Sequence, residues 1–137
     1  MNEYMKVAVD MARIAYNSGD VPVGAVIVKN KKIIAATYNR KNIDNVAVFH
    51  AEILAIIEAC KKSNSWYLDD CELYVTLKPC NMCLNAIAEA RIKKVYYLLN
   101  SNYVTNLDSN LSNVDLLEVG DLFEYKGLLQ RFFRELR

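Results

Sequence analysis

His50-Ala51-Glu52 and Pro79-Cys80-Asn81-Met82-Cys83 are the two short stretches around which this sequence is organised. His50 is the only histidine in the chain. One imidazole nitrogen and two thiolates suit Zn²⁺, and three protein ligands leave a fourth tetrahedral position open, as in catalytic zinc sites. We therefore predict that His50, Cys80 and Cys83 bind one zinc ion. Glu52, which is not needed as a ligand, would transfer protons beside it.

Both stretches are predicted to lie where a helix begins. An apolar helical pattern starts at about Ala51, and a second helix is predicted from Cys80 to about Ala90, with Pro79 at its opening, where a missing N–H costs little. Cysteines three apart in a first helical turn present both sulfurs on one side, and the helix N-terminus favours thiolate. Two helix N-termini would then point into one pocket.

His50 and Glu52 are two residues apart, so they cannot share a face within a helix. At a loop-to-helix junction with nearly extended backbone, however, their side chains can converge. Two thiolates and a neutral imidazole also balance the charge of Zn²⁺, which lowers the pKa of a bound water without burying a large net charge.

The remaining elements follow from periodicity on either side of these stretches. The first helix is predicted over Asn2–Ser18, the last over Asp121–Arg137, and a polar connection over Asn100–Asn113. The predicted strands are Val21–Val28, Ile33–Tyr38, Cys71–Leu77, Lys94–Leu99 and a weak one at Val114–Val119. The first two strands would form a hairpin and the later ones are joined by helices, so the order predicts a mixed sheet covered by helices, an α/β fold.

The last helix combines an apolar stripe with a basic end. Its stripe is predicted to contain Leu122, Tyr125, Leu129, Phe132, Phe133 and Leu136. Residues 126–137 carry four cationic side chains against one glutamate, although the whole chain has 17 Lys+Arg against 16 Asp+Glu and a net charge of +1. The overall charge excludes a general nucleic-acid binder, and any such binding must be local.

Length and composition predict a single domain over residues 1–137 in a cytosolic protein. The start of the sequence lacks the pattern of a secretory leader, and no apolar run reaches the length of a membrane span, so no membrane association is expected. Four cysteines in a cytosolic chain favour metal binding or burial over disulfides. Cys60 and Cys71 are predicted to be core residues.

Each motif also has a plainer interpretation when taken alone. A lone histidine is more often an ordinary core or surface residue, and C-x-x-C can be a redox pair or half of a structural zinc site. A structural site would need Cys60 or Cys71 as a fourth ligand. The combination of H-x-E with P-C-x-x-C therefore favours a catalytic metal.

H-x-E followed by P-C-x-x-C resembles the signature of the zinc-dependent cytidine deaminase superfamily. Further stretches are similar to the bacterial tRNA-specific adenosine deaminase family in particular: Val21-Pro22-Val23-Gly24-Ala25-Val26, Tyr38-Asn39-Arg40, Leu73-Tyr74-Val75-Thr76-Leu77 and Phe132-Phe133-Arg134. The resemblance implies a cytidine-deaminase-like three-layer α/β/α fold with a five-stranded sheet, in a cytoplasmic homodimer with one zinc per subunit. It also implies hydrolytic deamination of adenosine to inosine at the wobble position (34) of a tRNA anticodon.

The resemblance assigns roles by position. His50, Cys80 and Cys83 would hold zinc, and Glu52 would deprotonate the attacking water and return protons to the ring nitrogen and the leaving ammonia. Substrate-binding roles fall on Asn39, Pro22, Val23 and Leu77, with Asn39 hydrogen-bonded to the flipped-out nucleoside. Contacts with the anticodon loop fall on Phe132, Phe133 and Arg134, through stacking and phosphate charge.

The sequence departs from the family at three places on the expected RNA side. Lys78 stands where the family usually has an acidic residue, Val48-Phe49 replaces small residues before the histidine, and Asn100–Asn113 lacks the usual basic, glycine-containing loop. Two other functions stay open. The same zinc signature serves deaminases of a free base or nucleoside, of cytosine or guanine type, and a non-enzymatic zinc module could bind RNA or a protein partner.

Overall fold

The structure, a computed structural model, describes residues 2–100, 114–119 and 123–135. Within these ranges the chain forms α1 (Glu3–Asn17), β1 (Gly24–Lys29), β2 (Lys32–Tyr38), α2 (Lys41–Asp44), α3 (Ala51–Ser63), β3 (Cys71–Leu77), α4 (Asn81–Glu89), β4 (Lys94–Leu99), β5 (Asp115–Glu118) and α5 (Phe123–Glu135). The predicted order of helices and strands is confirmed, with α2 as an addition. Apart from Asn100, the predicted polar connection lies outside the described residues.

The five strands form one mixed sheet in the order β2-β1-β3-β4-β5. β1 is antiparallel to β2 and β3, whereas β3, β4 and β5 run parallel. The hairpin between β1 and β2 turns at Asn30 and Lys31, whose φ angles of 51° and 64° are those that a tight hairpin turn requires. The predicted mixed, five-stranded sheet is therefore confirmed.

One face of the sheet is covered by α1 and α5. Their buried side chains, with those of the sheet, form a core of Met5, Ala8, Val9, Ala12, Val26, Val28, Tyr74, Leu98, Tyr125 and Leu128. The contact between α1 and β1 is so close that a Cβ on Gly24 would lie 1.9 Å from the Ala8 carbonyl oxygen. Glycine is required at this position because of that approach.

The other face is covered by α3 and α4. Alanines 51, 55 and 59 form the buried side of α3, and small residues at this spacing let the helix approach the sheet closely. Leu73, Val75 and Val95 supply the sheet side of this core. Helices on both faces give the predicted three-layer α/β/α architecture, and residues 78–80 link the end of β3 to α4.

Two predictions about the helices need correction. In α5 the buried residues are Tyr125, Leu128 and Phe132, whereas Leu129 is half-buried and Phe133 is 45% exposed. The predicted stripe was too wide for one helix face, and its ends at 122 and 136 lie outside the described residues. Helix α4 begins at Asn81 with Cys80 as its N-cap, so Pro79 precedes the cap.

The two remaining cysteines differ in burial. Cys71 is buried, as predicted, but Cys60 is only half-buried, and its thiol lies 3.6 Å from the Trp66 carbonyl oxygen. Across the described ranges, every helix is too short or too polar to cross a membrane.

Candidate active site

The candidate ligands stand at the N-termini of two helices on one face of the sheet. His50 is the N-cap of α3 with φ −70° and ψ 154°, and Cys80 is the N-cap of α4 with φ −72° and ψ 173°. Both residues have extended backbone, so neither side chain is held within a helical turn. Cys83 is the third residue of α4 and is fully buried.

The three side chains converge on a point. His50 Nδ1 lies 3.4 Å from Cys83 Sγ and 3.7 Å from Cys80 Sγ, and the three ligand atoms lie within 4.8 Å of one another. Tetrahedral zinc with ordinary Zn–N and Zn–S bonds would separate a nitrogen from a sulfur by about 3.6 Å. The donor set therefore fits one zinc ion, with Nδ1 as the imidazole ligand.

The charges of these groups are linked. The pKa of Cys80 is lowered to about 4, chiefly because it shares a hydrogen bond with Cys83, and the pKa of Cys83 is raised for the same reason together with burial. The pKa of His50 is raised, mainly by its hydrogen bond to Cys80. Without a metal one thiol thus keeps its proton, and a metal ion that binds here must displace it.

Glu52 is a buried carboxyl group beside this cluster, with 4% of its surface exposed. Burial raises its pKa to about 7, because removal from water disfavours the charged form. A carboxyl group with a pKa near neutrality can both accept and donate a proton at physiological pH, which is what general acid–base catalysis requires.

The cluster opens into a cavity of about 240 Å³, lined by Val21, Val23, Asn39, Lys41, His50, Glu52, Leu77, Lys78 and Cys80. Drug-sized ligands occupy cavities of roughly 300–1,000 Å³, so this one suits a smaller, flat molecule such as a single nucleobase. Val23, Asn39 and Leu77, assigned to substrate binding by resemblance, share the cavity with His50, Glu52 and Cys80.

Asn39 is fixed within the cavity wall and is 6% exposed. Its backbone N–H donates to the Val23 carbonyl at 3.0 Å, and its Oδ1 accepts from the Lys41 N–H at 2.9 Å. Since Oδ1 is engaged in this turn, the side-chain amide nitrogen is the atom with which Asn39 can donate to a ligand.

A buried carboxylate that the sequence did not single out ties two walls of the cavity together. Asp20 is fully buried; its Oδ1 accepts from the Val21 N–H at 2.9 Å, and its Oδ2 accepts from the N–H groups of Asn42 and Ile43 at 2.8 and 3.0 Å. The carboxylate therefore joins the segment before β1 to the start of α2. The one sequence feature that could have drawn attention to Asp20 is its position directly after Gly19, where the first helix ends.

Pro22 is not among the cavity-lining residues. It is buried, and its carbonyl accepts a hydrogen bond from the Tyr125 hydroxyl at 2.8 Å. Val21 and Val23 line the cavity on either side of it, as alternation in an extended segment requires. The alternation of side chains in this extended segment would have identified Val21 as a lining residue. Lys41 and Lys78 also line the cavity and were not predicted to do so.

The three candidate RNA contacts in α5 differ in exposure. Phe132 is 6% exposed and its ring lies 6.5 Å from that of Tyr16, so it belongs to the core. Phe133 is 45% exposed and lies edge-on to Phe132, with ring centroids 5.4 Å apart. Arg134 is exposed. None of the three lines the cavity described above.

Comparisons with known proteins agree with this geometry. The family model of MafB19-like deaminases matches residues 1–137. The tRNA-specific adenosine deaminase of Bacillus subtilis (strain 168) is 38% identical over 143 residues, covering 98% of this chain and 89% of the relative.

Two solved structures share the fold and much of the sequence. One, from biochemical and structural studies of A-to-I editing by tRNA A34 deaminases at the wobble position of transfer RNA, is 41% identical with a TM-score of 0.70, over 72% of this chain and 71% of that chain. The other is the guanine deaminase of Bacillus subtilis, 32% identical with a TM-score of 0.69, over 98% of this chain and 95% of that chain.

Proposed function

We propose that this chain, which belongs to the family of tRNA-specific adenosine deaminases, hydrolyses adenosine to inosine at the wobble position of a tRNA anticodon. The observation that carries the proposal is the cavity that brings Asn39 and Glu52 together with a zinc-compatible His50, Cys80 and Cys83 set. The full-length similarity to a tRNA-specific adenosine deaminase supports the same substrate.

One zinc ion per subunit would be held by His50, Cys80 and Cys83, and when bound it would supply a Lewis acid that makes water nucleophilic at neutral pH. Glu52 would take a proton from the attacking water and pass protons to the purine ring nitrogen and then to the departing amine, so that adenosine and water become inosine and ammonia. Its pKa of about 7 suits this exchange in both directions.

The cavity walls would place the base for this attack. Val23 and Leu77 offer apolar surfaces on which a flat ring can pack, and the Asn39 amide nitrogen can donate to a ring or sugar acceptor. A base that enters the cavity must leave the stack of its own strand, which costs least in an unpaired anticodon loop. This cost favours a loop adenosine over a paired one.

The RNA-facing part of the proposal rests on α5. Phe133 and Arg134 are exposed and would stack on a base and pair with a phosphate, respectively. Phe132, being buried, would support the ring of Phe133 rather than reach RNA. Action on tRNA would also place the protein in the cytoplasm.

A homodimer is proposed from the family and from one surface. An apolar groove of about 370 Å³ runs between β2 and α3 and includes Ala36, Leu54 and Ile57, the last of which is 40% exposed. Such a face is typical of a protein interface. Sedimentation at micromolar concentration should give twice the monomer mass, and a monomer would remove this part of the proposal.

The guanine deaminase likeness supports a second candidate, deamination of a free base. The deciding assay incubates the zinc-loaded protein with a tRNA that carries adenosine at position 34, with the same tRNA carrying guanosine there, and with free guanine, cytosine and adenosine. We expect inosine to form only in the tRNA that carries adenosine at position 34. Turnover of a free base without any RNA product would overturn the tRNA proposal and establish the alternative.

A further inference from the structure

Two lysines stand at the outer part of the active-site cavity. Lys41 is exposed and Lys78 is half-buried, whereas Glu52, which lines the same cavity, is 4% exposed. The cavity therefore has a buried acidic floor and a basic mouth. Apart from the candidate metal ligands His50 and Cys80, its other lining residues carry no ionisable group.

The backbone of each lysine is held by a hydrogen bond. The Lys41 N–H donates to Asn39 Oδ1 at 2.9 Å, and the Lys78 N–H donates to the Leu99 carbonyl at 2.9 Å. The Lys78 ammonium also lies 5.8 Å from the centre of the Tyr97 ring, which limits its freedom. The backbone positions thus keep both lysines beside the cavity, and Lys78 is held further by its contact with the Tyr97 ring.

Neither charge is neutralised by a neighbour in the described part of the chain. The ion pairs found there join Arg13 to Asp10, Lys29 to Asp70 and Arg40 to Asp44. None of them involves Lys41 or Lys78. Within the described residues, both cations at this opening are therefore available to an anionic ligand.

We infer that Lys41 and Lys78 form a phosphate-binding pair that holds the backbone of the RNA strand on either side of the base in the cavity. The inference rests on the proposed function and names the part of the substrate read at the mouth. When a base of an RNA strand enters this cavity of about 240 Å³, the phosphates that join its nucleoside to the neighbouring ones lie toward the mouth. A free base brings no charge to this position, and the pair therefore favours a base within a strand.

The test uses the salt dependence of RNA binding. Each phosphate contact to a single strand contributes about 0.7 to the slope of log K against log salt concentration. Lys41→Gln and Lys78→Gln should each lower the slope by about 0.7 and weaken binding roughly fivefold at 0.1 M salt, and the double variant should lose about 1.4 in slope. Binding is measured by fluorescence anisotropy of an anticodon stem-loop with adenosine at the wobble position.

Two kinds of control variant accompany these. Lys62 is exposed in the last turn of α3, about 16 Å along the helix from Ala51, and Lys62→Gln should leave the slope unchanged. Lys41→Arg and Lys78→Arg keep the charge and should also retain the slope. Thermal unfolding and zinc content of every variant show whether the fold is intact.

An unchanged slope in the folded double variant, or an equal fall in Lys62→Gln, would overturn the phosphate pair. Inosine formation by the unmodified protein is measured separately on the same RNA. If inosine forms but the lysine substitutions do not change the salt dependence of RNA binding, the phosphate pair is refuted and the proposed deaminase function stands. If RNA binding depends on the two lysines but no inosine forms, the proposed deaminase function is refuted and the phosphate pair stands.

Discussion

Removing the Asp20 carboxylate should loosen the wall of the active-site cavity. Asp20→Ala leaves the N–H groups of Val21, Asn42 and Ile43 without their acceptor. A hydrogen bond to a charged group contributes about 1.5–3 kcal/mol. Asn42 and Ile43 are exposed, so water can replace the carboxylate there, whereas Val21 is half-buried. We therefore expect a loss of about 3 kcal/mol rather than the sum of three full bonds.

Urea denaturation of the zinc-loaded protein measures this loss, and Asp20→Asn, which keeps the size and one oxygen, should lose about half as much. Because the affected loops carry Asn39 and Lys41, KM for the RNA should rise several-fold with zinc content unchanged. Asp69→Ala, at an exposed carboxylate, is the matched control and should change neither quantity. Stability of Asp20→Ala within about 0.5 kcal/mol of the unmodified protein, with an unaltered KM, would refute the role given to Asp20.

Two further pairs of variants test the fold and the RNA face. Gly24→Ala should lower the free energy of unfolding by about 3 kcal/mol or more in urea denaturation, because its Cβ would meet the Ala8 carbonyl. Gly127→Ala places its Cβ where nothing lies within 4 Å, in a helix, and should raise the free energy of unfolding by about 0.5–1 kcal/mol. Equal effects of the two substitutions would contradict the close approach of α1 to Gly24. Phe132→Ala should lose about 3–5 kcal/mol of stability, while Phe133→Ala should keep stability and lose about 1–3 kcal/mol of RNA affinity in the anisotropy assay. Unaltered RNA binding in Phe133→Ala would remove it from the interface.

Most of the fold could be predicted because its elements carry strong local signals. The alternation of Cys71–Leu77, the amphipathic period of α1 and the polar turn between β1 and β2 each depend on neighbouring residues alone. Helix α2 could not be predicted in this way. It has four residues and no buried side chain, and two of its N–H groups, those of Asn42 and Ile43, donate to Asp20, which is remote in sequence. The periodicity of neighbouring residues does not indicate a contact between segments that are distant in the sequence.

The candidate site likewise has a part that local sequence predicts and a part that it does not. The metal-binding set could be proposed from residue type and spacing, because zinc chemistry restricts both. Lys41 and Lys78, which complete the cavity wall, could not be proposed in this way, because they come from separate segments that only the fold brings together. Phe132 and Phe133 illustrate a further limit: adjacent aromatic residues look alike in sequence, and only the packing of α5 decides which one is buried.

The most direct test of the proposed chemistry separates metal binding from proton transfer in one experiment. Glu52→Gln and Cys83→Ser proteins are assayed for bound zinc and for inosine in a tRNA with adenosine at the wobble position. We predict that Glu52→Gln binds zinc like the unmodified protein but forms inosine at least about 10²-fold more slowly, while Cys83→Ser loses the zinc as well. Loss of zinc from Glu52→Gln, or its turnover at the unmodified rate, would contradict the assignment of Glu52 as the proton-transferring group.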